Sequence, residues 1–130
     1  MNEILIPISP GELLDKITIL QIKAERIADP TKVANVKTEL EMLEKVWSEA
    51  VSDDDVIRAL SVELKSVNEA LWEIEDDIRD EERNKRFGER FIELARAVYV
   101  TNDERANAKK KVNLHLNSTI VEEKSYQDYQ

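Results

Sequence analysis

Seven apolar residues, Ile57, Leu60, Leu64, Val67, Leu71, Ile74 and Ile78, recur at alternating spacings of three and four. That period places them on one face of a helix about six turns long. Upstream, Leu13, Ile17, Leu20, Ala24 and Ile27 form a second stripe, while Ile19 and Ile22 fall on a different side of the same helix. A helix apolar on more than one side is covered on more than one side, so it belongs at the centre of a bundle or at a subunit contact. Val33, Val36, Leu40, Leu43, Trp47 and Ala50 keep a heptad spacing. Phe91, Leu94, Val98, Val112 and Leu116 mark a fourth helix whose stripe is interrupted by Thr101 or Asn102, Arg105, and Ala108 or Lys109.

The boundaries are written in local chemistry. Ser9-Pro10-Gly11-Glu12 places serine at an N-cap, proline in the first turn and glutamate at the third helical position, a reciprocal capping box. Asp29-Pro30 repeats the signal, Ser52 to Asp55 offers caps to the third helix, and Asn84 to Gly88 makes the turn after Glu82. Residues 3–8 are apolar, β-branched and contain Pro7, which predicts an extended arm at an edge position. The tail after about residue 118 lacks a helical stripe and is expected to pair with that arm or to wrap the bundle, its last four residues frayed. The expectation is an all-α fold in one domain over 1–130. Its form is an antiparallel helical bundle or long helical hairpin with short extended arms at about 1–8 and 118–130.

Composition agrees, with two glycines and three prolines in 130 residues. The net charge is −9, which argues against nucleic-acid binding, whose affinity comes from a basic field. Residues 83–111 depart from this with nine basic and four acidic side chains, leaving room for a local anion site. Without cysteine and with one histidine, His115, neither a thiolate metal site nor a disulfide framework is available. No secretory leader and no membrane-spanning run is read, and the expected setting is the cytoplasm.

Three constellations carry chemistry. Glu73 to Glu82 has the look of a carboxylate helix holding magnesium for nucleotide hydrolysis, but Glu69, Glu73, Asp76 and Asp80 lie opposite the core, which favours a solvated face and no metal. The polar break on the fourth helix needs partners. A hairpin turning about Arg86 would set Asn102 near Asn68, Lys109 near Glu63 and Arg96 near Asp76, and the same groups would otherwise line an anion pocket. Trp72 points away from the ladder and needs an arm or another chain over it. His115 reads as a surface or capping residue, and Lys109 to Lys111 as complement to a helix C-terminus.

Ser9 to Leu20 (SPGELLDKITIL), Asn68 to Arg79 (NEALWEIEDDIR), Phe87-Gly88, Phe91 to Ala95, Tyr99, Thr101-Asn102-Asp103 and Val121 to Tyr126 (VEEKSY) resemble, over nearly the full length, a family of small bacterial and phage-borne proteins classed as a domain of unknown function. The resemblance implies, for some members, a setting near or joined to sugar-transfer and surface-polysaccharide proteins. It also singles out Trp72, Thr101 to Asp103 and the tail, which heptad packing does not demand, and so implies one composite feature, a ligand pocket or a dimer contact. The leading expectation is a non-enzymatic helical scaffold that self-associates, as a dimer, through Ile19, Ile22 and Trp72 and the heptad faces. The alternative is an enzyme or binding protein for a small anionic metabolite, using Lys16, Tyr99, Asn102, Arg105 and Lys109. There Arg105 and Lys109 would clamp carboxylate or phosphate and Asn102 would orient the ligand. Neither reading calls for a cofactor.

Overall fold

The computed structural model of the chain describes residues 2–130; Met1, the first residue of the expected N-terminal arm, lies outside them. Four helices are present, α1 (Pro10–Arg26), α2 (Pro30–Ala50), α3 (Asp55–Arg83) and α4 (Glu89–His115). The fold is all-α, with no strand among the described residues.

Each of the first three helices starts on an oxygen-bearing cap. Ser9 accepts from the Glu12 backbone N–H, Asp29 from Thr31 and Lys32, and Asp54 from Ile57, satisfying donors that the first turn leaves free. The expected capping box is half made. Ser9 Oγ receives its bond at 3.1 Å, but the Glu12 carboxylate turns to Lys109 Nζ at 2.7 Å, because an ammonium is a stronger partner than the neutral amide of the box. Both α3 and α4 end on a left-handed residue, Lys85 and Asn117, each with φ 54°. Arg86 then donates back to Glu81 and Lys85 to Glu82, and Ser118 to Asn113 and Asn117 to Leu114, the paired bonds of a Schellman end.

α1 is the central element, lying against α2, α3 and α4. Gly11 donates its N–H to Asn113 Oδ1 at 2.7 Å and Arg26 lies 3.7 Å from Glu69, so α1 runs alongside α3 and against α4. The apolar core joins Leu14 to Ile57, Leu60 and Leu64 of α3 and to Ala108 and Val112 of α4, with Trp47, Val51 and Leu116 packed on it. Each leucine, isoleucine or valine among them taken fully out of water contributes about 1.5–3 kcal/mol. The two-sided α1 stripe is explained by this position. Ile22, expected as a subunit contact, is 1% exposed within the single chain; it is a core residue, because α1 is surrounded by its own neighbours.

α3 and α4 form the hairpin. Lys111 pairs with Glu63 at 2.9 Å, Arg90 with Asp77 at 3.3 Å, and His115 with the α3 cap Asp54 at 2.9 Å. The expected pairing of Lys109 with Glu63 is therefore replaced by Lys111, two residues on. Successive residues of a helix turn by about 100°, and Lys109 faces α1 instead. Asn68 of α3 makes its side-chain bonds to Asp15 and Thr18 of α1. The ladder is buried at Ile57, Leu60, Leu64 and Leu71, and half-buried at Val67, Ile74 and Ile78, because α1 ends beside Glu69 and Glu73 and only α4 continues. The acidic run is tied into surface ion pairs, Asp77 with Arg90, Asp80 with Arg83 and Glu81 with Arg86.

α2 stands apart. Among the helices it lies beside α1 alone, and none of its 21 residues is buried. The N-terminal residues Ile4, Leu5 and Ile6 are likewise exposed and irregular; the expected pairing of the tail with this arm does not occur, since the tail follows α4.

Candidate functional site

The polar break in α4 resolves into a buried charge centre. Thr101 and Ala108 take the inward positions of the stripe, Arg105 is half-buried between them, and Asp15 of α1 is fully buried. Arg105 Nε meets Asp15 Oδ1 at 2.9 Å and Nη2 meets Oδ2 at 2.5 Å, the two-pronged geometry that suits a guanidinium and a carboxylate. Asn68 Nδ2 donates to Asp15 Oδ1 and to Thr18 Oγ1, both at 3.0 Å, and Thr18 donates to the Asp15 carbonyl at 2.8 Å. A buried carboxylate is tolerated only when its lone pairs are filled in this way, and no buried side-chain polar atom among the described residues lacks a partner. The acid for Arg105 therefore comes from α1, although the acid-rich neighbour in sequence is α3.

One turn further along α4, Lys109 Nζ holds two carboxylates, Glu12 at 2.7 Å and the tail residue Glu122 at 3.1 Å. Burial alone would raise the Glu12 carboxyl, but the Lys109 ammonium holds it below its ordinary value. Burial acts on Lys109 in the opposite sense and is outweighed by its bonds to Glu12 and Glu122, which push its proton affinity up. Arg105 is raised by its bonds to Asp15. Gly11 makes the close approach of α1 to α4 possible. A Cβ there would overlap the Lys109 carbonyl oxygen and come within 2.9 Å of Asn113 Oδ1.

The tail, exposed throughout from residue 119, runs back along α4 and is held by side chains. Lys124 reaches Asp103 at 3.0 Å and the Asn102 carbonyl at 3.4 Å. The rings of Tyr129 and Tyr99 meet edge to face at 5.0 Å. The bonds from Lys124 and then Tyr129 pull the Asp103 carboxyl down, and the bond to Asp103 raises the Tyr129 hydroxyl. Between tail and α4 lies a cleft of 930 Å³, whose walls include Tyr99, Asn102, Arg105 and Lys109. Four of the five candidate residues are thus brought together. Lys16 is not: it is exposed, 3.7 Å from Glu12, and outside the cleft walls. Ile19 and Trp72 are half-buried, and neither is among the walls of this cleft.

Sequence reasoning missed Asp15, Thr18 and Glu122, and placed Asn68 at the polar break without its partners on α1. The signal for the first two was present: stepping back from Ile22 by four and three residues gives Thr18 and Asp15, so the second face of α1 begins in polar residues. No group of three or more His, Cys, Asp or Glu side chains placed to hold a metal occurs among the described residues, and no helix is long and apolar enough to cross a membrane.

The segments that meet here, Ser9 to Thr18, Thr101 to Asp103 and Glu122 to Lys124, come from both ends of the chain, and residues 4–129 match one family model as a unit. The chain belongs to DUF6165, a family of unknown function. Within this DUF6165 chain the Thr-Asn-Asp segment and the tail, which heptad packing leaves unexplained, meet through Lys124. No match was found among curated proteins or among solved structures.

Proposed function

We propose that the protein is a non-enzymatic helical interaction module that self-associates through α2, pairing antiparallel with α2 of a second copy in a short coiled coil. The observation that carries this is the condition of α2: 21 residues, none buried, against a single helix of its own chain. Its heptad residues Val33, Val36, Leu40 and Leu43 stay half-exposed, Met42 and Val46 are 47% and 50% exposed, and only Trp47 packs on the core.

Charge selects the partner and its direction. Residues 30–38 carry Lys32 and Lys37 and no acid, whereas residues 39–50 carry Glu39, Glu41, Glu44 and Glu49 with Lys45, a net of +2 against −3. None of these seven side chains joins an ion pair among the described residues, although every other helix is laced with them. An antiparallel second copy sets each basic half against an acidic half; a parallel one sets like against like. The site at Glu12 and Lys109 supports a binding role over a catalytic one, since the Glu12 carboxyl is held low and Lys109 and Arg105 are held high, away from the range useful for proton transfer near neutrality. A cytoplasmic setting belongs to the same proposal and rests on the sequence reading alone.

Light scattering on the full chain at micromolar concentration tests it. A dimer is expected, converted to monomer by Lys32→Glu with Lys37→Glu and restored when Glu44→Lys and Glu49→Lys are added. A monomeric parent chain, or a dimer indifferent to the first pair of changes, overturns the proposal.

A further inference from the structure

The cleft between α4 and the tail is held closed at one point by an internal anion. Glu122 reaches Lys109 at 3.1 Å, yet its side chain is 53% exposed, and the same ammonium already has Glu12 at 2.7 Å. Lys109 thus satisfies its first carboxylate from α1 and presents its remaining donors to the cleft, where the tail carboxylate sits on them. Next to it Lys110 also lines the cleft and forms no ion pair among the described residues. The tail has no regular structure and no buried residue, so its hold on the site is the sum of a few side-chain contacts.

The other walls are aromatic. Tyr99 and Tyr129 are 44% and 47% exposed and Tyr126 is 84% exposed, and all three line the same cleft. Amphipathic rings beside fixed cations recognise a ligand with a ring at one end and an anion at the other. The volume of 930 Å³ is that of a small-molecule site. A tethered carboxylate competes at an effective concentration of about millimolar, so a free anion must bring more charge than Glu122 does. A phosphate monoester, at about −1.5 to −2 with three acceptor oxygens, brings more charge and one more acceptor to Lys109 and Lys110 than a monocarboxylate does.

We propose that this cleft binds a phosphate monoester carried on a ring, the phosphate displacing Glu122 from Lys109 and the ring lying against the tyrosines. Glu122 is then a built-in placeholder that occupies Lys109 while the site is empty. The α2 contact plays no part in this, so the two proposals fail separately: one is read in α2 charge variants, the other in variants of the tail and Lys110.

Isothermal titration of the full chain with adenosine monophosphate, ribose 5-phosphate and inorganic phosphate decides the matter. Glu122→Gln, an exposed change in the tail, is expected to tighten binding of the ring-bearing phosphates about tenfold, and Lys110→Ala to weaken it about fivefold. Binding of adenosine monophosphate alone assigns the ring as a base; equal binding of ribose 5-phosphate assigns it as a sugar; both support the site. Equal affinity in the parent and Glu122→Gln, no binding by either, or inorganic phosphate binding as tightly as the larger ligands overturns it.

Discussion

Asp15 is the residue on which the interior depends most. It is fully buried, and its charge is matched by Arg105 and by the Asn68 amide at 3.0 Å. Removing one partner of a buried pair is costly because the other is left without compensation. Asp15→Ala is therefore expected to lower stability by about 3 kcal/mol, toward the lower end of what such changes cost because Arg105 keeps 30% of its side-chain surface in water; a shift in the urea unfolding midpoint measures it. A smaller loss, within the range of an exposed substitution, would mean that Asp15 is not the organising charge. Asp15 shares the second face of α1 with Thr18 and Ile22, but by residue type it reads as one more polar residue in the first turns of a capped helix. Arg105 was legible as an inward polar residue because it interrupts a stripe. Its partner was not, because the partner lies 90 residues away and only tertiary packing brings it close.

At the level of elements, the helices and their caps were legible because both depend on neighbours three and four residues apart. The register of the α3–α4 hairpin was less so. A turn position known to within one residue still leaves open which face of α4 each lysine presents, and Lys111 rather than Lys109 meets Glu63. The joints between elements carry an acid sensitivity of definite sign. Glu12 ties α1 to α4, Asp54 caps α3 and receives His115, and Asp103 anchors the tail. Burial notwithstanding, Lys109 holds Glu12 below 4.5. The Ile57 backbone N–H and then His115 hold Asp54 below 3.8, as Lys124 and then Tyr129 do Asp103. A carboxyl depressed in the folded state stabilises it fully above its unfolded value and loses that contribution as the pH falls through the folded value. Unfolding midpoints are thus expected to fall from pH 4.5 downward, and less steeply in Glu12→Gln/Asp54→Asn/Asp103→Asn. An identical acid limb in the triple variant would remove these three groups from the account.

Across the whole molecule, stability is unevenly distributed. α1, α3 and α4 share the apolar core and the Asp15 centre, whereas α2 contributes no buried residue and borders α1 alone. Segments with few buried contacts open at low free energy without global unfolding. In an isolated chain, then, amide exchange should be fastest along α2 and the tail and slowest along the α1, α3 and α4 stretches around Leu14, Leu64 and Val112. Self-association through α2 changes that order by mass action, because a partner that binds only the closed helix adds its binding energy to the local opening cost. The expected outcome of hydrogen exchange read by mass spectrometry at two concentrations is that α2 slows as concentration rises, while the tail does not. Concentration-independent exchange in α2 would leave that helix a loosely held arm of a monomer. Slowing confined to α3 and α4 would place the contact on the hairpin, where Phe87 and Ile92 are 54% and 53% exposed.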